Sequence, residues 1–321
     1  MRKISILSLL LSLLITTCIT GLFTSSCTKE SSIRNHDNYN SVADFYDKNG
    51  VAMQHFSVNA STGGTFTTPQ GTVISIPANI LVDHSGNTVG GAVDIEFRDI
   101  YKKSDMLLSN MPTNFYGRPL KSAGEFFIRA KSNNKLLQIA PLKKIEINQP
   151  ANNELIDSMM LSFLGVKDTA NGINWNCDSI GVNFSVYPSL SGYVFSLYNF
   201  ANPLDSGTWC NSDNPSYFSA YPITTLTLRG NDDVDTFNTD VFLVFKNINC
   251  MVHVYRSTEN DFPYLYAPEG LECTIVALGV KDEKIYSAFI PITISGDKTV
   301  NFTLSETTTD EFKAQLNLLN D

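Results

Sequence analysis

Histidine is scarce in this chain. Its four copies, His36, His55, His84 and His253, fall in four different local contexts, which leaves few ways to assemble an imidazole-based centre. Tryptophan occurs twice, charged residues make up only 17% of the chain, and basic residues never run beyond a pair, as at Lys102-Lys103 and Lys143-Lys144. A binder of the phosphate backbone needs a basic stripe or groove, so nucleic acid is not an expected partner. There is no glycine-rich phosphate loop, no GxSxG, no HExxH, no EF-hand loop and no CxxC pair. Without those constellations no metal, no cofactor and no enzymatic activity are expected.

What the chain does have is length and apolar content. Its 321 residues are 43% hydrophobic, enough for two or three compact domains, each with its own core. The N-terminus opens with Arg2 and Lys3, continues as an apolar run from Ile4 to Phe23, and ends in small residues before Cys27. That order reads as a secretory signal over residues 1–26. An uncleaved anchor is the alternative, since the run approaches membrane-spanning length. Removal of Arg2 and Lys3 leaves 21 basic against 32 acidic side chains, an acidic balance suited to a soluble ectodomain.

The ending Thr24-Ser25-Ser26-Cys27 resembles a bacterial lipobox, which implies that Cys27 is diacylated and becomes the mature N-terminus. Cys18 is the poorer match, because Thr17 before it is not Gly, Ala or Ser. Lys29-Glu30 resembles the export signal of surface lipoproteins of the Bacteroidota. The implied location is the outer membrane, lipid-anchored, with the cell surface as one of two orientations. Four cysteines then remain: Cys177, Cys210, Cys250 and Cys273. We expect disulfides between 177 and 210 and between 250 and 273, with buried thiols as the alternative for the second pair.

Residues 27–54 are polar and turn-rich and read as a tether, with one short helix around Ser41 to Tyr46. From Phe56 the pattern switches to period two, as in Val73–Ile76, Ala92–Ile100 and Lys144–Ile147. Alternation marks strands half buried on one face, and Ser132-Asn133-Asn134 reads as a hairpin turn. Residues 151–224 mix strand-like pieces with Asn/Asp/Ser-rich loops and read as a disulfide-bearing connector. Clean alternation returns over 225–307, and Thr308 with Glu311 forms a capping-box pattern that opens a helix over 308–321. The expected fold is all-β: two antiparallel sandwiches, at 55–150 and 225–307, a loop-rich connector and a short C-terminal helix.

Gly63-Gly64 followed by Pro69-Gln70-Gly71-Thr72-Val73-Ile74-Ser75-Ile76-Pro77 resembles the opening of ZU5-like β-sandwich domains. More broadly, residues 56–150, including Tyr101–Met106 and Ser109–Thr113, resemble the N-terminal module of uncharacterised Bacteroidota lipoproteins. Pro268-Glu269-Gly270 leading into an alternating strand resembles carboxypeptidase-regulatory or transthyretin-like sandwiches, whose implied role is to stabilise or display.

Four groups of residues carry possible chemistry. Some ZU5-containing proteins cleave themselves at a His-Phe-Ser tripeptide, and by that resemblance Ser57 is the nucleophile and His55 the base. The plainer expectation is that Phe56 and Val58 face the core while His55 and Ser57 face water. Asp94 and Glu96 share one strand face about 7 Å apart, a spacing known for glycoside hydrolysis, although alternating charge on a wet face explains them as well. The acidic stretch 231–235 with Asp240 offers oxygen ligands for calcium, or a solvated loop. Finally, Trp175, Trp209, Tyr217, Phe218, Tyr264 and Tyr266 place rings in polar, turn-rich sequence, as sugar-stacking surfaces do, or else pack against the neighbouring structure. The leading expectation is a non-catalytic envelope module that binds a glycan or a surface partner. A structural subunit of an envelope complex is the alternative, and a self-cleaving module at His55-Phe56-Ser57 a minor one.

Overall fold

Period-two alternation becomes two stacked pairs of sheets in the computed structural model, which describes residues 38–151, 155–168, 172–178, 183–200, 207–231, 238–257 and 260–321. The expected signal peptide, Cys27, the start of the tether and residues 232–237 of the acidic loop lie outside the described residues.

The first sandwich pairs a seven-stranded with a five-stranded sheet. The larger runs Gln54–Asn59, Ala92–Ile100, Lys121–Ser132, Thr208–Asn214, Leu161–Asp168 and Gly172–Cys177, with Lys135–Leu136 hairpinned onto Lys121–Ser132. The smaller runs Phe184–Pro188, Gly192–Leu197, Ile145–Pro150, Val73–Ile76 and Gly64–Thr67. Their facing sides bury Ile74, Val93, Ile95, Phe97, Phe126, Ile147 and Phe195 in one core. The expected connector over 151–224 is therefore corrected. Its strands at 161–214 hydrogen-bond into both sheets and complete the first sandwich.

The second sandwich faces a three-stranded sheet (Asp261–Pro268, Ile223–Gly230, Lys298–Phe302) against a five-stranded one (Met251–Val254, Thr239–Phe245, Glu272–Lys281, Lys284–Thr293, Ser305–Thr307). Pairing is antiparallel except between Ile223–Gly230 and Lys298–Phe302, which run parallel. Both faces of the five-stranded sheet are covered. Thr239–Phe245 sends Val241, Leu243 and Phe245 into the sandwich core and Phe242 and Val244 to the opposite face.

That opposite face is roofed by three short helices: α1 (Val42–Asn49), α2 (Lys103–Leu108) and α3 (Thr309–Asn317). Ser41 caps α1 by accepting from the Asp44 amide at 3.1 Å, and Val42, Phe45 and Tyr46 form its buried side. In α3 the Thr308 hydroxyl accepts from the Glu311 amide at 3.2 Å while the Glu311 carboxylate accepts from the Thr308 amide at 3.1 Å. Phe312 then meets Phe45 edge-on at 5.6 Å, closing a third core that also takes in Phe163 and Trp175 of the first sandwich. Residues 38–54 are thus docked, with Tyr39 donating its amide to the Glu283 carbonyl at 3.0 Å, where a free tether is expected from composition. The described residues form one compact unit. No helix of the described residues is long and apolar enough to cross a membrane.

Candidate functional site

The six aromatic residues singled out in sequence do not assemble into one open platform. Trp175 is 1% exposed and donates its indole N–H to the Pro112 carbonyl at 2.8 Å. Trp209 lies half-buried beside Phe127, with the Arg98 guanidinium 5.8 Å above its ring. Gly165 lets both indoles lie against one strand, since a Cβ there would fall 2.6 Å from that of Trp209. Phe218 and Tyr264 belong to the core of the second sandwich. Tyr217 and Tyr266 are half-buried, and each ring carries a cation from the first sandwich: Lys121 at 5.0 Å and Arg118 at 4.7 Å. The rings expected to stack on sugar are thus buried or capped from within.

The four cysteines are free, which corrects the expected disulfides. In register, Cys177 lies opposite Phe163 and Cys210 opposite Leu164, the next residue of the same strand. Successive side chains of a strand point to opposite faces, so the two sulfurs lie on opposite sides of the sheet, two strands apart. Cys250 and Cys273 are buried thiols in the second sandwich, and burial pushes the Cys273 thiol up to about 12.

His55 and Ser57 face solvent from an edge strand in regular register, opposite Glu96 and Asp94, while Val58 is buried and Phe56 half-buried. His55 Nδ1 contacts Asp94 at 3.1 Å. Ser57 neighbours that same carboxylate, so the three do not form a relay from serine through imidazole to acid. Glu96 is buried and paired with Arg129 and, at 2.7 Å, with Lys131. Against the cost of burial, those two cations hold its carboxyl below the usual range, so it is not a proton donor near neutrality. The ligand atoms of His55, Asp94 and Glu96 lie within 4.8 Å of one another, but an added cation would meet Arg129 and Lys131.

A different place gathers chemistry. Between the two sandwiches lies a cavity of 570 Å³ lined by Gln70, Tyr101, Lys102, Ala123 and Tyr193 from one side and Asn247, Asn249 and Asn320 from the other. Its walls are fixed from beneath. The fully buried Asp99 accepts from Thr68 at 2.6 Å, Thr72 at 2.7 Å and Gln54 at 2.9 Å, while the Gln70 amide donates to the Asp99 carbonyl at 2.6 Å. Thr72 also bonds the Tyr101 hydroxyl, and burial drives that phenol far above its ordinary value. Asn247, with φ 59, turns the chain between Thr239–Phe245 and Met251–Val254, and Asn249 donates to the carbonyls of Tyr101 at 3.1 Å and Ser122 at 3.0 Å. The buried Lys103 ammonium donates to the Phe245 carbonyl at 2.8 Å, joining the sandwiches at the cavity wall.

The arrangement presents amide groups and the charges of Lys102, Lys103 and Asp321 in a frame fixed by two buried tyrosines. Sequence reasoning missed it. Tyr101-Lys102-Lys103 follows a strand and Lys246-Asn247-Ile248-Asn249 is a polar turn between two strands, yet nothing local says that these segments, 145 residues apart at Lys102 and Asn247, face each other. No family model matches the chain, and no curated protein matches it.

Proposed function

We propose that this chain is a non-catalytic binding module of the cell envelope, lipid-anchored through Cys27 in the outer membrane, that holds a hydroxyl-rich ligand such as an oligosaccharide between its sandwiches. The observation that carries the proposal is the lining of the 570 Å³ cleft, where the amide side chains of Gln70, Asn247, Asn249 and Asn320 stand beside Lys102, Lys103 and Asp321. An amide offers a donor and an acceptor at fixed spacing, which suits adjacent hydroxyls. The anchor rests on Thr24-Ser25-Ser26-Cys27 and the apolar run before it.

The test is calorimetric titration of the purified full chain with a panel of neutral and acidic oligosaccharides. Saturable binding that Asn247→Gly removes, a change that keeps the left-handed turn while deleting the amide, at unchanged melting temperature, supports the proposal. Silence across the panel overturns it. For the anchor, palmitate incorporation in cells is expected to vanish in Cys27→Ala, and labelling that persists would refute lipidation there.

One observation favours a second reading, a structural subunit. Leu155, Met159 and Leu161 are 91%, 58% and 44% exposed on a segment tied to the cleft wall, where the Asp157 amide donates to the Tyr193 hydroxyl at 2.7 Å. Adjacent exposed apolar side chains mark contact surfaces. A single envelope protein that crosslinks through this segment, with no saccharide bound, would favour that role.

A further inference from the structure

Beside the cleft, strand Lys121–Ser132 carries one residue more than its partner. Gly124 lies opposite Ser212 and Ser122 opposite Asp213, so Ala123 is bulged out between them. The bulge re-aims Ser122 onto the face that already carries Glu125, Asn211 and Asp213. Gly124 makes the bulge possible. Its φ is +119, and an added Cβ would overlap the Tyr101 ring and the Gln149 amide. All four polar residues are fully buried, under a loop of the second sandwich whose Asn249 carbonyl accepts from the Ser122 amide at 2.8 Å.

The cluster is rich in oxygen and poor in donors. Asn211 donates its amide to Asp213 Oδ2 at 2.8 Å, and the Ser122 hydroxyl donates to Asn211 Oδ1 at 2.9 Å. Both oxygens of Glu125 and Oδ1 of Asp213 have no hydrogen-bond partner. Glu125 lies directly opposite Asn211, and the neighbouring charge it meets is that of Asp213. Two buried carboxylates side by side, with one amide donor between them and no cation among the cluster's four side chains, are strongly unfavourable as ions.

We propose that Glu125 and Asp213, together with the side-chain oxygens of Asn211 and Ser122, bind one divalent cation, calcium by the chemistry of the donors. Two carboxylates balance its charge, and amide and hydroxyl oxygens extend the all-oxygen set that calcium prefers. Ala123 and Asn249 line the cleft next to the buried cluster, so an ion enters when they part. The site does not depend on what the cleft binds.

The experiment is calorimetric titration of calcium chloride into the full chain after chelator treatment, with melting temperature followed in parallel. Expected are single-site saturation and a rise of about 5 °C or more at hundredfold excess of free calcium over Kd, both lost in Glu125→Gln. Ser122→Ala keeps both carboxylates and serves should Glu125→Gln fail to fold; its affinity is expected to fall about tenfold. No heat and no melting shift in the unaltered chain would overturn the proposal. So would saturation that survives Glu125→Gln and disappears in Asp233→Asn, since the ion would then sit on the acidic loop.

Discussion

Glu96 and Asp94 stand two residues apart on one strand face, and burial separates their roles. Asp94 is partly exposed and meets His55, whereas Glu96 is buried between Arg129 and Lys131. Replacing Glu96 by Gln leaves two partly buried cations without their shared carboxylate, so Glu96→Gln is expected to lower stability by about 2 kcal/mol, read by urea unfolding at pH 7. The sign of its pH dependence follows from the lowered folded-state pKa. Its contribution is complete above the unfolded value of about 4.3 and is lost as pH falls through the lower folded value. The difference between Glu96→Gln and the unaltered chain should therefore shrink on acidification below about pH 4. A difference constant from pH 7 to pH 3 would show that the pair contributes nothing through charge.

At the scale of the element, α3 tests how much of the roof its cap and its anchor supply. Thr308→Ala removes one half of the capping box and should cost about 1 kcal/mol. Phe312→Ala opens a cavity beside Phe45 and Phe289 in the core under the helices, and should cost about 3 to 5 kcal/mol. Both are read as shifts in the urea midpoint, and equal effects would mean that α3 is held by its own helicity and not by docking. This helix was legible from Thr308 and Glu311, as were α1 around Ser41 to Tyr46 and the strands Val73–Ile76 and Ala92–Ile100 from alternation. Strand Thr208–Asn214 was not. Its sequence, Thr-Trp-Cys-Asn-Ser-Asp-Asn, has the composition of a loop, yet it lies in the middle of the larger sheet with all but Trp209 buried. Polar side chains can hold a central strand when they bond across it, as Asn211 does to Ser122 and Asp213, and composition does not carry that pairing. The cleft was illegible for a related reason. Its residues are ordinary turn and strand-end residues until Asn249 is hydrogen-bonded to Tyr101 and Ser122.

For the whole molecule, two sandwiches at first suggest two independent folding units. The third core argues otherwise, because Phe163 and Trp175 of one sandwich and Phe242, Met251 and Val276 of the other lie in it with the helices. Lys103 and Asn249 add hydrogen bonds across the same boundary. Residues 36–321 should accordingly melt as one cooperative unit, with calorimetric and van't Hoff enthalpies equal within error. Two resolved transitions would show that the third core is too weak to couple the halves.

The docking of α1 has a mechanical consequence. A pull on the chain from the N-terminal side reaches the fold at Tyr39, whose amide bonds Glu283 and whose hydroxyl bonds Thr309 at 2.8 Å, and at Tyr46, which donates to Asp240 at 2.9 Å. These grips fasten the pulled segment to the C-terminal sandwich, although the next strand in sequence, Gln54–Asn59, opens the other one. Load is therefore taken up by α1, α3 and the sheet beneath them before it can peel Gln54–Asn59 from the edge of its sheet. The end of the chain acts as a strain relief for its beginning.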